Sequence, residues 1–556
     1  MSEVETDIEA EEPAEVAGAT GRQLVRSSAV VGIGTALSRV TGFLRVAAIA
    51  TIGFARLTDV YNIANSTPNI VYELLLGGIL TATLVPLYVE NLQHRDDRAS
   101  DAINTVSLVG LLVISILGFI AAPWIIQLYT LRLSGPGAAQ QQELATSLLR
   151  LFMPQIFFYG LTALATAMLN ARRRFAAAAF APVLNNIVVI GVFIALPSIA
   201  HRSLNVETVN SDTGLVLLLG LGTTAGIVAM ALVLLPALHR AGARIRLAFD
   251  WRNPAVVKLA RLSGWTVGYV VANQLAFWIA LFLAYGRSGD ASVYLAAFIF
   301  FQLPHGLFAV SIMTALAPEL AASANRHDFT AFRLHFTGGF RLMVLTVLPA
   351  SGLMVVLAGP IVNAVLHYGD FSARNASLTA ETLAAFGLGL VFFSVYLYTL
   401  RAFYSMQDTR TPFLLNCIEN GINIVLALSL YPALGVQGLA LAWSLAYAIS
   451  AVVSLLWLRN RLGSLDGRGN AVAIARIGVA AVAATVVAWI AGTTIGDSSP
   501  GRAIVACVVG IGGAAAVYLI GLRLLRVPEL AMLRDAVRRR AVTAPVGVPD
   551  AGSADA

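Results

Sequence analysis

The stretch that decides the reading is Ser38-Arg39-Val40-Thr41-Gly42-Phe43-Leu44-Arg45, followed by Thr58-Asp59-Val60-Tyr61-Asn62-Ile63-Ala64-Asn65-Ser66-Thr67-Pro68-Asn69. Both runs fall in the first two segments whose length and hydropathy suit a bilayer crossing. An arginine near mid-membrane costs at least about 2–3 kcal/mol, so it faces a water-filled cavity or a partner and not lipid. Two of them six residues apart look like a device for holding something negative. On an unbroken helix they stand about 120° apart, and Gly42 between them offers a bend that lets the guanidiniums converge. In the second run Asn62, Asn65, Ser66, Asn69 and Glu73 recur at helical spacing and make one polar stripe. The plainer account of that stripe is hydrogen bonding across a helix contact.

Working outward, the whole chain is apolar. Of 556 residues, 58% are hydrophobic and 12% charged, with a mean hydropathy of +0.78. That composition excludes a soluble domain of this size and describes a polytopic membrane protein. The net charge of +7 is carried by arginines and the single lysine Lys258, a pattern of basic loops and not of a nucleic-acid patch. Cys417 and Cys507 both lie in apolar segments and read as buried free thiols. The first residues are rich in Glu and Asp with little that is apolar, which describes a disordered acidic tail and not a cleavable signal peptide.

Runs of about 20 apolar residues mark fourteen spans, one of them over residues 60–90. Loop charge alternates along the chain. Odd-numbered loops hold isolated cations, Arg56, Arg132, Arg202, Arg287, Arg374 and Arg502, whereas even-numbered loops hold clusters such as Arg172-Arg173-Arg174. The alternation places both termini in the cytoplasm. A repeat of about 235 residues pairs Tyr159, Thr162, Arg173 and Asn186 with Tyr396, Thr399, Arg410 and Asn423. Two units of six spans then share one orientation and pack around an axis along the membrane normal, with a cavity between them. The expected organisation is an all-α fold: an acidic tail over residues 1–26, a first lobe over 27–240, a second lobe over 254–458, two extra helices over 472–526, and a cytoplasmic tail over 527–556. Positive charge is concentrated in the first lobe. The second offers Asn416, Glu419, Asn420 and Asn423 on one helix face. A carboxylate among amide oxygens suits a coupling cation, Na+ or H+, held by Asn416, Glu419 and Asn423. A glutamate hydrogen-bonded within a helix contact is the alternative.

The arginine run, with Thr58-Asp59 and Pro68-Asn69, resembles the MurJ/MviN family of lipid II flippases in the multidrug/oligosaccharidyl-lipid/polysaccharide exporter superfamily. Further matches are Phe180-Ala181-Pro182 with Asn185-Asn186-Ile187, Tyr368-Gly369-Asp370-Phe371, and Phe403-Tyr404-Ser405-Met406-Gln407-Asp408-Thr409-Arg410-Thr411-Pro412. The resemblance runs from about residue 27 to 526 and agrees with fourteen spans. It implies transport of an undecaprenyl-diphosphate-linked disaccharide-pentapeptide across the bacterial cytoplasmic membrane by alternating access, with no covalent chemistry. It also implies membrane lipids and cell-wall synthesis proteins as partners, and a lipid-tail groove at spans 13 and 14. Arg39, Arg45 and Asp59 match positions that the family uses in its central cavity, and Asn65 and Asn69 lie on the adjoining polar stripe. Two further family arginines are absent, falling on Tyr72 or Glu73 and near Ile299. A protonated His305 is a partial substitute, a structural histidine beside Pro304 being the alternative. Two other functions fit the scaffold: a cation-coupled exporter of small molecules, which needs an acidic cavity, and a non-transporting paralogue that scaffolds cell-wall enzymes.

Overall fold

The computed structural model describes residues 14–530 apart from 74, 76–83, 95, 134, 136, 173, 244, 245 and 247, with side chains from Gly32 onward except at 262–266. It is an all-helical membrane protein. Among the described residues thirteen helices are long and apolar enough to cross a bilayer. The expected span over 60–90 is the exception: residues 74 and 76–83 lie outside the described residues, between α2 (Arg56–Glu73) and α3 (Val85–Gln93). The chain divides into two compact units. One holds residues up to 49, 64–126 and 139–267; the other holds 50–63, 127–138 and 268 onward.

In the first unit α1 (Ala14–Ala50) is followed, after α2 and α3, by α4 (Asp97–Tyr129), α5 (Ala138–Phe152) and α6 (Gln155–Ala171). Then come α7 (Ala176–Ala200), α8 (Val206–Ser211), α9 (Thr213–Leu232) and α10 (Leu234–Arg240). Pro154 separates α5 from α6 within one crossing, because proline cannot donate to the helix ladder. The core of this unit is a cluster of Leu87, Ile103, Leu164, Met168, Met230 and Leu234, drawn from α3, α4, α6, α9 and α10. On α4, Ile116, Ile120 and Trp124 are exposed, an apolar face suited to acyl chains.

The second unit takes over within α11 (Pro254–Ala284). It continues with α12 (Asp290–Pro304), a π-turn at His305–Ala309, α13 (Val310–Asn325), α14 (Phe329–Val356) and α15 (Ala358–Leu366). The long pair α16 (Ala373–Ser405) and α17 (Arg410–Leu434) leads into α18 (Val436–Leu462), α19 (Gly467–Ile495) and α20 (Pro500–Leu524). Its core is aromatic: Phe301, Phe386, Phe393, Trp443 and Tyr447 pack with centroid spacings such as 4.8 Å for Phe301–Trp443 and 4.4 Å for Trp443–Tyr447. The α19–α20 pair docks on α14 and α15 through Leu357 and the small residues Ala484, Ala488 and Ala514, which let the helices approach. Tyr518 Oη donates to Leu345 O at 2.6 Å, and Arg341 of α14 bonds Asn470 at 2.8 Å and pairs with Asp466 and Glu529.

One expectation about the first hundred residues changes. Residues 14–26, expected in the acidic tail, begin α1, consistent with the helix-favouring Ala14-Glu15-Val16-Ala17 and Gln23-Leu24; residues 1–13 lie outside the described residues. Gly42 lies inside α1 and does not interrupt it, so Arg39 and Arg45 keep their separation of about 120° around the axis. Of the tail over 527–556, residues 531–556 lie outside the described residues, and Glu529 is buried beside Arg341.

Candidate functional site

In the first unit α1 is held by α7. Asn186 Nδ2 donates to Ser38 O at 3.1 Å and to Thr41 Oγ1 at 3.0 Å, and a Cβ on Gly34 would stand 2.7 Å from that of Ala179. The helix is therefore fixed by small and amide groups on one face. Arg39 is exposed and Arg45 half-buried, and neither forms an ion pair among the described residues. Arg45 lies within electrostatic reach of Tyr72. The Tyr72 ring sits 4.5 Å from that of Tyr159, whose hydroxyl donates to Asn69 Oδ1 at 2.8 Å. Arg45, Tyr72, Tyr159 and Asn69 thus form one chain of contacts, and the phenol of Tyr72 occupies ground where the sequence comparison expected a guanidinium. Asn65 has a buried amide oxygen with no hydrogen bond among the described residues, while Glu73 is exposed.

Asp59 and Asn62 lie in the second unit, on the first turns of α2. Asp59 is fully buried and caps the start of α12: it accepts from Gly289 N at 2.6 Å, Ser292 N at 3.0 Å and Ser292 Oγ at 2.8 Å. Asn62 donates to the same Ser292 hydroxyl at 3.0 Å. Gly289 has φ +89°, and a Cβ there would lie 2.6 Å from Phe54 O, so this close approach requires glycine. Both Asp59 oxygens are committed to a helix N-terminus, where a carboxylate is favoured. The polar stripe on α2 is therefore shared out, Asn62 to Ser292 and Asn69 to Tyr159. Nothing in its spacing distinguishes these partners.

Asn416, Glu419, Asn420 and Asn423 do share a buried face of α17. Asn416 Nδ2 donates to Tyr269 O at 3.2 Å, and Asn420 Nδ2 to Asn273 Oδ1 at 2.9 Å. Glu419 is 1% exposed and neither carboxyl oxygen has a hydrogen bond of good geometry among the described residues. Tyr447 is the phenol that reaches towards it, with Tyr294 and Tyr396 also close. A lone carboxylate with orphaned oxygens fits either a proton or a small monovalent cation, with the Asn416 and Asn423 amides as further oxygens. His305 goes elsewhere: it is buried in the aromatic core, 3.0 Å from Ser394 Oγ and 4.5 Å from the Phe393 ring centroid.

The other quoted motifs are joints. Gly369, at φ +64°, lies against Thr51 O where any side chain would collide; Asp370 N donates to that carbonyl at 2.9 Å, and Phe371 meets Phe54 edge-on at 5.1 Å. Asp408 accepts from Thr411 N at 3.0 Å, Thr411 Oγ1 at 2.8 Å and Arg461 Nη1 at 2.7 Å, which ties the start of α17 to the end of α18.

Comparison with known proteins places this geometry. The family model described as "Lipid II flippase MurJ" matches residues 49–508. A relative from Burkholderia cenocepacia named "Lipid II flippase MurJ" is 30% identical over 456 residues, covering 79% of this chain and 84% of the relative. A "Probable lipid II flippase MurJ" from Rhizobium meliloti is 29% identical over 537 residues, covering 93% and 97%. Among solved structures, "Lipid II flippase MurJ, inward closed conformation" superposes with a TM-score of 0.72 at 23% identity, covering 89% of this chain and 99% of that one. An inward-facing multidrug resistance MATE family transporter of the MOP superfamily gives 0.61 at 17% identity, covering 76% and 94%.

Proposed function

Because this chain belongs to the lipid II flippase MurJ family, we propose that it carries lipid II from the inner to the outer leaflet of the bacterial cytoplasmic membrane by alternating access. The observation that carries the reading is the pair Arg39 and Arg45, cations on an apolar helix with no ion pair among the described residues. A guanidinium in a membrane needs an anionic partner, and its planar fork fits the oxygens of a diphosphate. Asn65 and Asn69 lie about two and a half and three and a half turns into α2, where their amides flank that partner's polar head. Asp59 acts on the substrate indirectly, by fixing the start of α12. The protein is a carrier without covalent chemistry.

Drive comes from a cation, Na+ or H+, taken up at Glu419 with Asn416 and Asn423. A carboxylate buried without a partner is stable only when neutralised, so its occupancy follows the gradient. The exposed faces of α19 and α20 (Val482, Trp489, Val508 and Leu519 among them) support a role in lining the path of the undecaprenyl tail. Both termini lie in the cytoplasm on the loop-charge bias. The test is expression in a flippase-depleted cell, scored by growth and by labelling of lipid II at the outer surface. Restored growth with labelled lipid II supports the flippase. Growth without outward lipid II favours a scaffold, and cation-dependent drug export without growth favours a small-molecule exporter.

A further inference from the structure

The isolated arginines of the odd-numbered loops are scattered in sequence, yet four of them meet at one end of the second unit. Arg132 lies in the connection from α4 to α5 and Arg287 in that from α11 to α12; both stack on the ring of Tyr431, with Cζ 5.6 Å and 5.7 Å from its centroid. Arg56 lies 5.4 Å from the Tyr285 ring centroid and donates to Tyr285 O at 2.6 Å and Gly286 O at 3.3 Å. Gly286 is the hub: a Cβ there would stand 3.5 Å from Tyr431 Oη and 4.0 Å from Arg132 Nε. Arg374, in the first turn of α16, shares with Arg56 and Arg287 an electrostatic contact to Asp290.

The charges do not balance. The carboxylates facing this group are Asp59, already committed to α12, and Asp290, against four guanidiniums. Arg56 is occupied in holding the Tyr285–Gly286 turn. Arg132, Arg287 and Arg374 are exposed and form no ion pair among the described residues. The hydroxyls of Tyr285 and Tyr431 are buried and have no hydrogen-bond partner there either. Two cations on one ring repel each other, and a buried phenol without an acceptor is unfavourable. One ligand type relieves both: an anion with several oxygens, which accepts from the guanidinium forks and from a phenol.

We propose that Arg132 and Arg287, with Tyr431 between them and Arg374 beside them, form an anion site that takes a phosphate or diphosphate group at the sparsely charged, outer end of the protein. Two sources share that chemistry: the diphosphate of a polyprenyl carrier in the outer leaflet, and the headgroup of an anionic phospholipid. The site stands on the loop geometry and holds whether or not α1 binds substrate.

The experiment uses the full chain carrying Arg39→Gln and Arg45→Gln, so that α1 contributes no binding. Inorganic diphosphate is titrated calorimetrically in detergent at low salt, and phosphatidylglycerol retained from mixed phosphatidylcholine nanodiscs is counted by native mass spectrometry. Arg132→Gln with Arg287→Gln should weaken one or both at least tenfold, while Arg202→Gln, in an odd-numbered loop outside the cluster, changes neither. Loss of diphosphate binding alone assigns the site to the carrier, and loss of phosphatidylglycerol alone assigns it to the headgroup. Tyr431→Phe keeps the ring that seats both arginines and removes the donor, so it should cost severalfold in affinity with an unchanged melting temperature. It decides the matter if the double variant fails to fold. The site is refuted if the parent binds neither probe, or if Tyr431→Phe and the folded arginine variants bind as the parent does.

Discussion

α1 and α17 both carry ionisable groups through apolar surroundings, and they treat them in opposite ways. On α1 the charge is positive, accessible and without an ion pair among the described residues; the helix is secured from its other side by Asn186. On α17 the charge-bearing group is a carboxyl at 1% exposure, enclosed by phenols and amides. An exposed cation keeps its charge and waits for a large partner. A buried carboxyl keeps its place only by giving up its charge or taking a small cation. The contrast is what motivates the proposal of substrate binding on the first unit and coupling on the second.

The largest effect should come from α1. Arg39→Ala and Arg45→Ala should each abolish outward exposure of lipid II while the protein still reaches the membrane on a blot. Arg45→Lys should restore part of it, because the ammonium keeps the charge and loses the planar fork. Normal lipid II exposure in both alanine variants would leave the arginines without a transport role and collapse the contrast. On α17, Glu419→Gln should preserve membrane yield, since the amide is isosteric and removes a buried ionisable group, yet make transport insensitive to the driving gradient. Uptake assays at imposed proton and sodium gradients measure this; an undiminished gradient response would return Glu419 to packing.

A smaller effect, on stability, tests whether Asp59 belongs with either helix. Asp59→Ala leaves Gly289 N, Ser292 N and Ser292 Oγ facing a void and should destabilise the protein by about 1–3 kcal/mol, read as a lower melting temperature in detergent. Should melting stay put while substrate binding falls, Asp59 acts directly on the substrate, as the family resemblance implied.

How much of this was legible in the sequence follows the range of the interactions. The thirteen long apolar helices were, because each is written in its own apolar run. The face shared by Asn416, Glu419 and Asn423 was, because it depends on spacing within one helix. So were the paired positions of the repeat, which fall on successive helices in each half, Tyr159 on α6 and Asn186 on α7 against Tyr396 on α16 and Asn423 on α17. The partners of Asp59 were not: Ser292 is 233 residues away, and no local pattern in either segment names the other. The same holds for Arg132 and Arg287, which read as isolated loop charges until the fold sets them on one ring. Gly42 marks another limit. A glycine permits a bend, but the surrounding residues sustain a continuous helix, and permission is all that the sequence records.

The smallest effect calibrates the comparison with a carboxylate that is charged and paired at the water boundary. Partial burial alone would raise the Asp408 carboxyl; hydrogen bonds from Thr411 N and Oγ1, together with Arg461, outweigh it and hold the group below its ordinary value of 3.8. A carboxyl lowered in the folded state stabilises the fold above its unfolded value, and that contribution fades as pH falls through the folded value. The wild type should therefore lose stability relative to Asp408→Asn as pH drops below about 4, by less than about 1 kcal/mol because Arg461 is half exposed. Melting curves of the two proteins from neutral to acidic pH measure it: they should differ near neutrality and converge in acid. Glu419→Gln should differ with the opposite sign, the wild type being the less stable of the two near neutrality and gaining on the variant in acid, because a carboxyl that is neutral while buried ionises once the chain unfolds. If Glu419→Gln instead follows the Asp408→Asn curve, Glu419 is ionised and paired in the folded state, and α17 carries its charge by the same means as the water boundary does.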